Sequence, residues 1–305
     1  MRKPHLEKLN ALLENDKLPR GDRVRVKTAL ERYAQWVKAS ERILSASTEP
    51  ASAIEELVRE LNSYKAYIEL ELIFDSEDDF LYRQKGQLKL DNSIVEEFLP
   101  VLVTPAVLPE VVGLDLIVGA TNTFSSLYFA STLNSLASGP SPSVRTKDQD
   151  FAIAKPLFIR TGFTEDLGAG ETKATCVAYV AAECKTNLDK TMFQEATATA
   201  HDVKTSVPGA KYYLLCEWLD MTPISTAPTD IDEVIILRKA KRLASSTRSA
   251  YSTREGRRRN RDQFRDFIVS NPIQTEMIAR FVGHIRALFT DQTVAEGDVL
   301  RNGYF

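Results

Sequence analysis

The run Val177-Ala178-Tyr179-Val180-Ala181-Ala182-Glu183-Cys184-Lys185-Thr186-Asn187 closes an apolar, strand-like segment with Glu-x-Lys. Side chains two apart on a strand share a face. Glu183 and Lys185 therefore stand together at the strand's end, with Cys184 turned into the core. A carboxylate beside an ammonium at a sheet rim suits metal-dependent phosphodiester hydrolysis. The carboxylate holds a divalent cation, and the lysine steadies or activates the attacking water. The spacing alone carries no weight. Asp/Glu-x-Lys starts at Glu171, Glu183 and Asp202, about what chance gives with 42 acidic residues in 305. Context separates the three: Glu171 follows the turn Gly168-Ala169-Gly170, and Asp202 ends a helix-like stretch. Glu183 alone closes an apolar strand.

Such a centre needs a second carboxylate, and hairpin geometry selects one. If 150–163 and 172–185 pair as antiparallel strands, the turn falls at Asp166-Leu167-Gly168-Ala169-Gly170. Asp150 then comes opposite residue 184, beside Glu183 and Lys185. A slip of a residue or two brings in Asp148 instead. Asp166 sits in the turn, far from the rim. Gln194 and Glu195, on the helix that follows, either reach the rim or are solvated. The plainer alternative is that Asp150 merely starts a strand and that Glu183 and Lys185 form a surface ion pair. The hairpin, the apolar strand and the following helix favour the site.

These residues must be positioned by a larger frame. The first 75 residues read as helical, with Val26, Leu30, Tyr33 and Val37 at helix spacing, then Ile54, Leu57, Leu61, Tyr64 and Ile68. Ser52-Ala53-Ile54-Glu55 matches a capping box. Asp75-Ser76-Glu77-Asp78-Asp79 is an acidic break and the expected boundary between a helical region, 1–75, and a second domain, 76–305. A helix is expected over 93–102, carrying Glu96 and Glu97, and a loop over 135–143. Strands are expected at 150–163, 172–183, 212–218 and 234–237, a helix at 187–204, and helices at 261–270 and 275–289 parted by Pro272. The order makes a mixed sheet flanked by helices, in the α/β or α+β class.

Asp150, then Glu183-x-Lys185 after a hairpin, then a helix, resembles the PD-(D/E)xK nuclease superfamily. The longer run Glu183 to Ala196, with Lys147-Asp148-Gln149-Asp150-Phe151 before it and Leu215-Cys216-Glu217-Trp218-Leu219-Asp220-Met221 after it, resembles type II restriction endonucleases of the Bpu10I family. The resemblance is strongest over 145–245. It implies a restriction-endonuclease-like fold for 76–305 and Mg²⁺-dependent cleavage of double-stranded DNA at a short specific sequence. It places the metal-binding pair on Asp150 and Glu183 and the catalytic lysine on Lys185. Gln149 stands where the superfamily motif has proline, which leaves Asp150 against Asp148 open. Some relatives carry a further acid on an upstream helix, a place for Glu96 or Glu97. One centre cuts one strand, so the resemblance also implies a second nuclease subunit, identical or not.

From Arg238 to Arg261 there are ten Lys or Arg residues and one acid, Glu255. In a chain of net charge −3 this local positive field suits phosphates, and Arg254, Arg257, Arg258, Arg259 and Arg261 are the candidate DNA contacts. Hydrophobic residues are 43% and charged residues 27%, ordinary for a soluble globular protein. Three cysteines without zinc-site spacing fit a reducing, cytoplasmic setting. The N-terminus lacks a signal-peptide pattern. The apolar region 98–127, broken by Pro100, Pro105, Pro109, Glu110 and Asp115, is too interrupted to span a bilayer. The competing readings are a structure-selective repair or recombination nuclease on the same centre, and a non-catalytic DNA-binding subunit.

Overall fold

A computed structural model of the chain describes residues 2–129, 132–134, 140–168, 170–290 and 296–303. Its N-terminal half is helical: α1 (Pro4–Glu14), α2 (Arg20–Ala46), α3 (Pro50–Ala66), α4 (Phe80–Gln84) and α5 (Ser93–Phe98). A π-helical segment, Tyr67–Phe74, prolongs α3, and a 3-10 turn, Leu99–Leu102, prolongs α5. The sheet follows in chain order. It consists of β1 (Ile117–Phe129), β2 (Pro142–Thr161), β3 (Glu171–Leu188), β4 (Lys211–Leu219) and β5 (Glu233–Lys241), with α6 (Lys190–Ser206) crossing from β3 to β4. The chain then runs through α7 (Ser245–Ala250), α8 (Arg254–Arg259), α9 (Arg261–Ser270), α10 (Thr275–Ala287) and α11 (Glu296–Asn302).

The first three strands are antiparallel, and β3, β4 and β5 run parallel. The expected hairpin is present. Phe151 pairs with Ala182, one residue from the expected register, and a shift between Ile153 and Ala154 moves the rest by one more. Of its turn, Gly170 is the residue that geometry demands, because a Cβ there would collide with the Thr161 carbonyl. Ala169 and residues 135–139 of the expected loop lie outside the described residues.

Strand alternation sorts the sheet into two faces. Ala181, Tyr212, Leu214 and Cys216 pack with Phe193, Ala196 and Ala200 of α6. Val180, Ala182, Cys184, Tyr213 and Leu215 pack with α2, α3, α5 and α10. This second cluster runs from Leu9 to Ile285 without interruption at residue 75. The cluster holds residues from both sides of the acidic break. One expectation is corrected. Helix α3 begins at Pro50, before the presumed capping box, and has no side-chain cap. The second half of the interrupted apolar region 98–127 forms most of β1, a strand not anticipated from the sequence. Among the described residues no helix is long and apolar enough to cross a membrane.

Candidate active site

The strands β2 and β3 bring Asp150, Glu183 and Lys185 together. Ala181 faces α6, so Glu183 and Lys185, two and four residues on, continue that face. Cys184 between them is buried in the opposite core, as its parity requires. Lys185 Nζ lies 2.6 Å from Glu183 Oε1. The Tyr212 hydroxyl, from β4, donates to Glu183 Oε2 at 3.0 Å. Asp150 Oδ2 accepts the Cys184 backbone N–H at 3.0 Å, which fixes the carboxylate across the hairpin. The Asp150, Glu183 and Lys185 side chains are 20%, 19% and 25% exposed, enough for water and an ion to reach them.

A second group arrives from the helical side. Glu96 sits on α5, and Lys89 precedes that helix with a left-handed backbone, φ 49°. The Lys89 ammonium stands 3.4 Å from Asp150 Oδ1 and 3.4 Å from Glu96 Oε1. Asn92 locks this group to the sheet: its amide donates to Glu96 Oε1 at 3.0 Å and to the Cys184 carbonyl at 2.9 Å. Helix α5 therefore hangs on the very residue between the Glu183–Lys185 pair.

The electrostatics are those of a cation site. Burial and the Asp150 charge raise the Glu96 carboxyl to about 7. Burial opposes the Lys185 ammonium, but the Glu183 carboxylate outweighs it and the lysine's pKa is raised. Lys89 is likewise opposed by burial and raised by Asp150 and Glu96. Burial and Glu183 push the Tyr212 hydroxyl up, so it stays a donor. Three carboxylates thus face two ammonium groups, and the oxygens of Asp150 and Glu96 already share one cation. Hard oxygen donors of this kind suit a divalent cation. Among the described residues no group of three or more His, Cys, Asp or Glu side chains is placed to hold a metal ion.

The remaining candidates fall elsewhere. Asp148 is exposed and accepts from Asn122 of β1 at 2.9 Å. Glu97 turns away from Asp150 and accepts the His5 and Leu6 backbone N–H groups and the Tyr33 hydroxyl. Gln194 and Glu195 are exposed on α6. Lys89 and Asn92 were missed in the sequence, because neither has a motif and the segment 85–92 carries no periodicity.

Within the arginine run, Arg257 requires a correction. Arg257 is buried and spends all five N–H groups internally, on the carbonyls of Phe74, Ser76, Asp78 and Tyr251 and on Asp79 Oδ1. It is a structural residue with no donor left for DNA. Its neighbours are compensated by acids: Arg254 by Glu77, Arg259 by Glu255, and Arg261 by Asp75 through paired bonds. Arg258 is exposed with no ion pair among the described residues. The acidic break and the basic run, separate features of the sequence, are partners in the fold.

Comparison with known proteins bears on the family and the fold. The family model described as Bpu10I restriction endonuclease matches residues 87–305, which includes every residue of the candidate site. No curated protein matches the sequence at a significant level. Among solved structures, a chain of the native BbvCI A2B2 tetramer is similar, with TM-score 0.66 and 17% identity over 96% of this chain and 100% of that one. At that identity the likeness speaks for the fold.

Proposed function

The chain belongs to the Bpu10I restriction endonuclease family, and we propose that it hydrolyses phosphodiester bonds of double-stranded DNA at a specific sequence, with Asp150, Glu183 and Lys185 as its catalytic residues. The observation that supports this most is the pairing of Lys185 with Glu183 at 2.6 Å beside an Asp150 that already shares a cation with Glu96. Asp150 and Glu183 would hold Mg²⁺, and Glu96 stands beyond Lys89 on the α5 side. The bound ion supplies positive charge against the phosphate as its charge develops. Lys185, kept as an ammonium, orients the attacking water and the scissile phosphate by charge and hydrogen bonding. It does not accept the proton from water while it remains protonated. Tyr212 fixes the second Glu183 oxygen, so that the carboxylate keeps one orientation.

One centre of this kind cuts one strand, so a double-strand break requires two. The similar BbvCI protein is an A2B2 assembly, and we read this chain as one subunit of a multi-subunit enzyme, with an identical or non-identical partner. The free cysteines Cys176, Cys184 and Cys216 fit the reducing cytoplasm. The test is digestion of plasmid DNA in Mg²⁺ by the chain with its partner subunit. Discrete fragments support the reading. Unspecific degradation would indicate a repair-type nuclease, and binding without cleavage a DNA-binding subunit.

A further inference from the structure

The arginine run is largely neutralised within the fold, yet a duplex at the carboxylate rim needs cations for its phosphates. A cleft of about 460 Å³ lies beside the end of β3, on the face opposite Glu183 and Lys185. Thr186, the residue after Lys185, lines it, and so does Asp91, the residue before Asn92. Its cations are Arg83, Lys85, Arg242 and Arg248, drawn from two separate parts of the chain. Its acids are Glu69 and Asp91, and both are buried and engaged. Glu69 is paired with Arg238 and Lys65, and Asp91 accepts the Asn92 backbone N–H. The floor is rigid. Trp218 is stacked on Phe267 at 4.7 Å and covered by the Arg238 guanidinium at 4.6 Å.

The four cations are held open to a ligand to different degrees. Lys85 lies over the Tyr82 ring at 4.7 Å and has no ion pair among the described residues. Arg242 and Arg248 share one exposed acid, Asp220, at 2.8 and 4.0 Å, so two charges face one. Arg83 is exposed and pairs with Asp79. The cleft therefore keeps an unbalanced positive charge next to the candidate catalytic strand.

Resting on the nuclease reading above, we propose that this cleft binds phosphates of the DNA backbone flanking the scissile bond, through Lys85, Arg242 and Arg248. The α8 arginines are then peripheral. Each neutralised phosphate releases counterions and adds about 0.9 to the slope of log affinity against log salt.

The experiment is a salt titration of the full chain on a random-sequence 20-base-pair duplex, in Ca²⁺ so that nothing is cut, read by fluorescence anisotropy. The triple variant Lys85→Gln, Arg242→Gln, Arg248→Gln should lose roughly 2–3 from the slope, whereas Arg254→Gln, Arg258→Gln, Arg259→Gln should change it by less than about one. A second variant guards against misfolding of the first. Asp220→Asn releases Arg242 and Arg248 and should tighten binding and steepen the slope. An unchanged slope in the cleft variant, or a larger loss in the α8 variant, overturns the proposal while leaving the nuclease reading in place. If the wild-type chain shows no duplex binding even at low salt, both are overturned together.

Discussion

At the residue scale, the centre is defined by which carboxylates share which cations. Asp150 and Glu96 share the Lys89 ammonium, and Glu183 holds that of Lys185. Lys89 occupies a position that a divalent ion would claim, and it is 46% exposed, so it has room to swing out. It should therefore compete with the metal. A partly exposed ion pair is worth up to about 1 kcal/mol. Lys89→Met should accordingly raise affinity for Ca²⁺, without DNA, by roughly three- to tenfold, measured by calorimetry. Weaker Ca²⁺ binding in the variant would show that Lys89 supports the ion rather than displacing it. The Glu183–Lys185 pair and its partner Asp150 were legible in the sequence, because strand parity and hairpin pairing are local rules. The internal role of Arg257 was not. Charge content shows where cations are dense, but only the fold shows that Asp75–Asp79 lies against them.

At the element scale, helix α5 carries both faces of the account. Glu96 turns to the sheet, while Ser93 and Glu97 turn to α1. His5 of α1 reaches Ser93 Oγ at 3.0 Å and the Tyr64 hydroxyl at 2.8 Å. Ser93 Oγ in turn donates to the Lys89 carbonyl at 2.6 Å, so α1 braces the segment that presents Lys89. Burial, and secondarily the Lys65 charge, push His5 down to about 3. The unfolded chain takes up a proton below about 6.5, but the fold refuses it until about 3. The neutral His5 contribution is therefore complete above that upper limit and declines as pH falls through the window, at about 1.4 kcal/mol per unit. Urea unfolding of wild type and His5→Gln at pH 7, 6, 5 and 4 should show the wild-type advantage shrinking at that rate. Parallel stability curves would contradict a neutral, buried His5. The later strands β4 and β5 and helices α6, α9 and α10 were legible from periodicity and breakers. Strand β1 was not, since its burial alternates irregularly and register shifts interrupt it. Its existence depends on pairing with β2, which sequence periodicity does not encode.

At the scale of the whole molecule, the helical region and the sheet share buried residues in one core cluster. Beneath the cleft, Lys65 meets Glu217 at 2.7 Å, and Arg238 meets Glu217 and Glu69, each at 2.9 Å. All four side chains are buried, and Lys65 also donates to the Asp91 carbonyl. Removing one partner of such a cluster strands a buried charge, at a cost of about 3–5 kcal/mol. A fragment of residues 76–305 would lose Lys65 and Glu69 together with much of the core packed on the sheet. It should fail to fold cooperatively, as circular dichroism during thermal unfolding would reveal. A sharp transition in the fragment would place the boundary at the acidic break.

The central claim is that Asp150 and Glu183 perform metal-dependent strand cleavage with Lys185. It is tested most directly by cleavage of supercoiled plasmid in Mg²⁺ by the assembled enzyme, comparing Asp150→Ala, Glu183→Ala, Lys185→Ala and Asp148→Ala with wild type. Duplex binding in Ca²⁺ serves as the control for folding. The first three should lose at least about a hundredfold in rate and still bind, while Asp148→Ala cuts normally. Normal cleavage by Asp150→Ala with a dead Asp148→Ala would contradict the assignment, and normal cleavage by both Asp150→Ala and Glu183→Ala would remove the site altogether.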